Sequence, residues 1–212
     1  MNVNELSALY DMDTRAYLPT KQTLRLLGSS DSYFLRAIKK KCELFGIKCN
    51  IESNYIGPES MHQYPTVIDI ETYQHGRVNL DEWQDIDCQY HDGMSCVSQA
   101  IANILSQYEL SGKHIMIIGR GHAVQGLREV LLANDATVTV CHSKSKNMSA
   151  ISEICDIIVL ATPKLDTCIA IDKELIIDIG NTLSHLDVSN YMNKVGKLTI
   201  SILLNRLVKC GE

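Results

Sequence analysis

The stretch Gly119-Arg120-Gly121-His122-Ala123-Val124-Gln125-Gly126 follows an apolar run and precedes a helical pattern. In that context glycines let the backbone approach a pyrophosphate at a helix N-terminus, where amides and helix dipole favour an anion. The spacing departs from G-x-G-x-x-G, because Val124 stands where a glycine is expected. A tight strand-to-helix turn whose glycines only permit close packing is the alternative. The end of the next strand separates the cofactors. An Asp or Glu there takes the ribose 2′-hydroxyl of NAD, whereas this chain has Cys141-His142-Ser143-Lys144. Arg120, Ser143, Lys144 and Lys146 instead supply the guanidinium, hydroxyl and ammonium donors that a 2′-phosphate needs, so NADP is favoured over NAD. The bland reading of Lys144 and Lys146 is a solvated loop. His122 either touches pyrophosphate or caps the turn.

Other chemistries have less to stand on. Cys88-x-x-His91-x-x-x-x-Cys96 lacks a fourth ligand at metal-site spacing, and none of the eight cysteines forms a C-x-x-C pair. The cysteines read as buried thiols in a reducing compartment. A net charge of -5 gives duplex nucleic acid no overall attraction. Apolar segments are broken every six to ten residues, too short for the roughly 20 that a membrane helix needs. The first twenty residues carry no secretory pattern, so the cytoplasm is expected.

The elements that must position these residues follow from periodicity. Residues 21–27 alternate as a strand, and 30–45 carry Phe34, Ile38, Cys42 and Phe45 at helical spacing before Gly46. Strands are expected at 47–51 and 66–70, with little room between them for a full crossover helix. Residues 72–93 are polar without a clear period, and 94–108 form an amphipathic linking helix. From residue 111, strands at 113–118, 137–141, 156–161 and 175–179 alternate with helices at 124–134 and 148–154, and a last helix spans 198–208. Alternation of this kind means an α/β fold with a parallel sheet.

The runs Gly112-Lys113 through Gly119-Arg120 and Ala136-Thr137-Val138-Thr139-Val140-Cys141-His142-Ser143-Lys144 resemble the bifunctional methylenetetrahydrofolate dehydrogenase and methenyltetrahydrofolate cyclohydrolase family. Its pattern is GK-x-x-x-V-IGRS-x-x-VG followed by ATVT-x-CHS. Residues 155–161, Leu175-Ile176-Ile177-Asp178-Ile179-Gly180 and Val195-Gly196-x-x-Thr199 add to the match, which covers about two thirds of the chain. The resemblance implies two lobes joined by two long helices with an active cleft between them, a homodimer, a folate-type substrate and a dinucleotide cofactor. The expected architecture is a C-terminal Rossmann-like parallel sheet with helices on both faces and a smaller, abbreviated N-terminal α/β lobe. The expected boundaries are 1–95 for the folate lobe, 96–195 for the NAD(P)-binding domain with linking helix 94–108, and 196–212 for a helix returning to the N-terminal lobe.

Carried over by resemblance, the cofactor residues are Gly119, Arg120, Gly121, His122, Val124, Ser143, Lys144, Thr162, Gly180 and Asn181. Tyr33 and Thr199 are the substrate contacts, although Thr199 also suits a helix N-cap. The departures matter. Gly121 stands where the family has serine, Gln125 where it has glycine, and Pro163 where a glycine is expected. The Tyr-x-x-x-Lys pair, which places a phenol and an ammonium one helical turn apart for proton handling, is not intact. Anchored on Tyr33 its lysine falls at Ala37; anchored on Cys42 and Gly46 the pair falls at Phe34 and Ile38. Lys39 is adjacent but on another helix face. The glutamine strand motif has no clear counterpart, since residues 66–72 offer only Glu71. The aspartate of KDVDG corresponds to Asp87, with Asp69-Ile70-Glu71 as a competing alignment. Lys39 and Asp87 are therefore the remaining catalytic candidates. Trp83 either lines the cleft or anchors a loop, and the folate loop before the last helix is shortened. Two readings result: an NADP-dependent dehydrogenase of the methylenetetrahydrofolate type with weak or absent cyclohydrolase activity, or a degenerate paralogue that binds a dinucleotide, folate or a partner. A cleft rebuilt for another small substrate is equally compatible with these losses.

Overall fold

The structure, a computed structural model, describes residues 1–18, 20, 22–53, 64–69, 78, 80–184 and 190–210. In chain order the elements are α1 (Val3–Ala16), β1 (Thr23–Leu27), α2 (Tyr33–Phe45), β2 (Lys48–Glu52), β3 (Thr66–Ile68), α3 (Cys96–Leu105), β4 (His114–Ile118), α4 (Leu127–Ala133), β5 (Thr137–Cys141), α5 (Met148–Ile154), β6 (Ile157–Leu160), β7 (Leu175–Asp178), β8 (Tyr191–Met192) and α6 (Val195–Lys209). The chain divides into two compact units, one of residues 4–92 and 200–212, the other of residues 1–3 and 93–199.

In the N-terminal unit three parallel strands lie in the order β2-β1-β3. The central strand buries Leu24, Leu26 and Leu27, as a strand covered on both faces must. Helix α2 starts where Ser32 accepts a hydrogen bond from the Leu35 amide at 3.2 Å, which satisfies one of the first-turn donors. It stops at Gly46, whose φ of 68° is open to glycine at no steric cost. Between these caps Leu35, Ile38, Cys42 and Phe45 recur at three and four residues and form the buried face. Each large apolar side chain there contributes about 2 kcal/mol of burial.

Helix α1 is an element that periodicity missed. Its buried side chains in this unit include the hydroxyls Ser7 and Thr14, while Leu9 and Met12 are exposed, so apolar spacing carried no signal. Polar contacts hold it. Ser7 Oγ lies 2.6 Å from Ser201 Oγ, and Asn205 donates to Asp13 at 2.8 Å.

The second unit is a five-stranded, wholly parallel sheet in the order β5-β4-β6-β7-β8. The chain moves outward from β4 to β5 and then back across β4 to β6. Right-handed crossovers in opposite directions place α4 and α5 on opposite faces of the sheet. Met116, Ile118, Ile158, Leu160 and Ile176 form its core. The fold is thus the expected α/β arrangement with a Rossmann-like sheet and a smaller N-terminal sheet. Helix α3 is shorter than the expected 94–108: it has ten residues, about 15 Å at 1.5 Å per residue. Among the described residues no helix is long and apolar enough to cross a membrane.

Candidate functional site

The glycine-rich turn sits at the carboxyl end of β4, beside the carboxyl end of β5. Ile118 pairs with Cys141, and the Gly119 amide donates to the Cys141 carbonyl at 2.8 Å. Arg120 and the segment His142-Ser143-Lys144 therefore leave adjacent strand ends, and Arg120, Ser143 and Lys144 are all exposed. No carboxylate stands between them in the chain at the end of β5. The turn after Arg120 is not a direct entry into α4. Residues 122–124 make one turn of 3₁₀ helix in which the Val124 amide donates to Gly121 and the Gln125 amide to His122. Those two amides are consumed internally. Val124 is 9% exposed and packs; His122 Nδ1 lies 3.2 Å from Gln125 Oε1 across the turn.

Helix α3 fixes this turn from behind. Ser98 Oγ donates to the Ala123 carbonyl at 3.1 Å, and the Ser95 amide donates to the Gln125 carbonyl at 3.3 Å. A Cβ on Gly126 would meet Met94 Cα at 2.9 Å. What remains open is a hollow of about 300 Å³ lined by Ile117, Gly119, Arg120, Gly121, His122 and Arg128, among others, at the lower end of ligand-pocket sizes.

The glycines fall into two kinds. A Cβ on Gly119 would stand 2.5 Å from the Ala161 carbonyl oxygen, at a φ of 129°, and one on Gly180 would stand 2.3 Å from the Thr162 carbonyl oxygen. Both positions are dictated by close packing of neighbouring strand ends. Gly121 meets nothing within 4 Å and has a φ of -80°, so any residue fits there, the family's serine included. Thr162 accepts from Thr182 Oγ1 at 2.8 Å and its own hydroxyl donates to the Lys164 carbonyl at 2.8 Å. Asn181 adopts a φ of 54°. Asp178 is fully buried and shapes this loop, since its Oδ2 accepts from the Leu183 amide and the Tyr191 hydroxyl, each at 2.8 Å. Burial, and then that aspartate, push the Tyr191 phenol up to about 12.

Tyr33 is 84% exposed. Lys39, also exposed, lies six positions on and faces elsewhere. Ile38, where the family lysine aligns, is wholly buried. Asp87 is 4% exposed. Thr199 is neither an N-cap nor an open contact: α6 begins at Val195, and the buried Thr199 hydroxyl donates back to the Val195 carbonyl at 3.1 Å. Sequence reasoning passed over Lys41, whose side chain is 12% exposed and whose ammonium pairs with Asp11 at 2.7 Å and donates to Ser201; with α1 unread, its partner was invisible. Cys88 and His91 serve different neighbours, Arg206 and Asp85. The competing alignment through Glu71 lies outside the described residues.

Residues 95–191 match the family profile described as tetrahydrofolate dehydrogenase/cyclohydrolase, NAD(P)-binding domain. The match spans the NAD(P)-binding unit and shows that this part of the chain is similar to that domain. Relatives of the chain include the bifunctional protein FolD of Thermosipho melanesiensis, 34% identical over 138 residues, which cover 55% of this chain and 51% of that protein. FolD of Clostridium botulinum is 27% identical over an alignment of 252 positions, covering 92% of this chain and 88% of the relative. The chain spans about half the length of the curated relatives it first matches. Among solved structures, the bifunctional FolD of Campylobacter jejuni superposes with a TM-score of 0.74 at 19% identity, covering 98% of this chain and 95% of that one. The Trypanosoma brucei enzyme, complexed with NADP cofactor and inhibitor, gives 0.72 at 21%, covering 98% and 93%. At these identities the superpositions establish the fold.

Proposed function

We propose that this chain is a member of the tetrahydrofolate dehydrogenase/cyclohydrolase family and an NADP-dependent dehydrogenase acting on 5,10-methylenetetrahydrofolate in one-carbon metabolism, with cyclohydrolase activity weak or absent. The observation that supports it is the pairing of the β4 and β5 ends in the NAD(P)-binding unit, from which Arg120 and the segment His142-Ser143-Lys144 leave adjacent strands, with no carboxylate in the segment that directly follows β5. When bound, the oxidised dinucleotide takes up the hydride that the one-carbon bridge gives up. The protein's own part is positioning. Arg120, Ser143 and Lys144 would hold the 2′-phosphate, the two cations by charge-assisted bonds. The open space at Gly121 leaves room for the cofactor backbone, and Ser95 and Ser98 keep the turn in place through its carbonyls. Hydride transfer needs no proton-handling side chain, which suits an α2 with Ile38 in the core where a lysine would stand. The reading carries with it a homodimer and a cytoplasmic setting, the latter supported by eight free thiols.

The test is absorbance at the reduced-nicotinamide band with methylenetetrahydrofolate and NADP or NAD, in the native protein and Arg120→Ala. Loss of a charge-assisted bond weakens NADP by roughly 10-fold to 100-fold and NAD far less. Turnover that ignores the substitution refutes the assignment of Arg120. The exposed Tyr33 and buried Ile38 favour one second reading, a binding paralogue without catalysis or with another small substrate; NADP binding without folate turnover would select it.

A further inference from the structure

Two thiols that hydride transfer does not use meet where α2 packs on β2. Cys42 is wholly buried in the last turn of α2, on the face it shares with Leu35, Ile38 and Phe45, and Cys49 is half-buried on β2. Leu27 and Ile68 turn to one face of the N-terminal sheet, into a cluster with Val78 and Leu80. Side chains alternate along a strand, so Leu24 and Leu26, with their register partners Cys49 and Ile51, turn to the other. Helix α2 lies on that face. The Ile47 amide donates to the Cys42 carbonyl at 2.9 Å as the chain folds back through Gly46 into β2, and the Cys42 and Cys49 side chains hydrogen-bond each other.

The two thiols are not equivalent. The hydrogen bond with Cys42 holds the Cys49 thiol below its ordinary value; burial opposes this, and the Lys39 charge assists it. The same hydrogen bond, and then burial, push the Cys42 thiol up. The thiolate is the attacking form, so the half-buried Cys49 is the nucleophile and Cys42 the thiol that resolves it. Burial pushes up the thiols of Cys88, Cys141, Cys155 and Cys210. To bond, sulfurs in hydrogen-bonding contact must close to about 2 Å. Strand β2 lies at the edge of its sheet, so it can move toward α2 against a ladder on one side only.

We infer that Cys42 and Cys49 form a reversible modification site, a dithiol that hydrogen peroxide converts to an intramolecular disulfide tying the last turn of α2 to β2. The inference goes beyond the folate reading and stands apart from it. The Cys49 sulfur attacks the peroxide: an S–O bond forms, the O–O bond breaks, and the departing oxygen leaves as water with the Cys49 proton. The Cys42 sulfur then attacks the sulfenic sulfur: the S–S bond forms, the S–O bond breaks, and a second water leaves with the Cys42 proton. Two thiols lose two electrons, and one peroxide is reduced to two waters. Exchange with an external dithiol reverses the bond, so in a reducing compartment it is transient.

The test treats reduced native protein with equimolar hydrogen peroxide, alkylates the thiols that remain, and combines a thiol titration with mass spectrometry of unreduced peptides. The expected result is a fall of two from the eight free thiols, a linked peptide joining Cys42 to Cys49, and return of both thiols on adding dithiothreitol. Cys49→Ser, a near-isosteric change at a half-buried edge-strand position, should keep the fold by circular dichroism, lose the linked peptide and leave Cys42 reduced. Eight thiols remaining after treatment overturns the inference. So does a linkage through other cysteines in place of this one, oxidation of Cys49 that never engages Cys42, or oxidation of Cys42 that proceeds unchanged in Cys49→Ser.

Discussion

Gly180→Ala tests whether this glycine is required by packing or by the approach of a ligand. An added Cβ would stand 2.3 Å from the Thr162 carbonyl oxygen, and 3.0 Å is the closest that real Cβ atoms tolerate, so at least 0.7 Å of backbone movement is required. That carbonyl also accepts the Thr182 hydroxyl, so the shift strains a hydrogen bond worth about 1 kcal/mol in addition to an overpacking cost of about 2 kcal/mol. The sum, about 3 kcal/mol, lowers the melting temperature by roughly 6–12 °C for a chain of this size. Gly121→Ala is the internal control. Its Cβ meets nothing and its φ is ordinary, so restricting the unfolded chain leaves stability unchanged or raised by about 0.5 kcal/mol. Thermal unfolding by circular dichroism at one scan rate, with NADP titrations of both variants, reads the difference. A Gly180→Ala protein that melts with the native one yet binds NADP poorly would refute the packing argument.

Two further outcomes follow from the same contacts. Lys209, and after it Asn205, hold the Asp13 carboxyl below its usual value; the stabilisation this gives is present above the unfolded-state value near 4 and lost as pH falls through the lower folded-state value. Urea midpoints of native protein and Asp13→Asn should therefore differ at pH 7 and converge at pH 3, and a gap that widens in acid would contradict the sign. Tyr191, with its phenol raised to about 12, stabilises fully below its unfolded-state value near 10 and loses that contribution as pH rises through the folded-state value. Tyr191→Phe leaves the buried Asp178 with the Leu183 amide on Oδ2 and, among the described residues, no hydrogen-bond partner on Oδ1, a cost of about 1–3 kcal/mol at pH 8. Alkaline absorbance titration should show the variant lacking a phenol that ionises near 12.

Much of the NAD(P)-binding unit was legible in the sequence. Residues 137–141 and 148–154 are found as strand and helix with the boundaries that periodicity gave, because an alternating strand and an amphipathic helix announce themselves by spacing. Helix α1 was not legible, because hydroxyls and a carboxylate, not apolar side chains, bind it to α6 residues nearly two hundred positions away. Nor was β8, two residues whose pairing with β7 exists only once the sheet has formed.

The same division runs through the site. The chain by itself determined the resemblance and the parallel α/β order, and it singled out Arg120, Ser143 and Lys144 as the proposed donors, since these depend on residue type and local spacing. Tertiary structure alone decided what each glycine is for and where the polar groups meet. Gly119 and Gly180 are pressed against carbonyls of residues 161 and 162, Gly121 faces open space, and His91 meets a buried Asp85. Steric exclusion and hydrogen bonding act between atoms within a few ångströms, and sequence separation does not report which atoms those are.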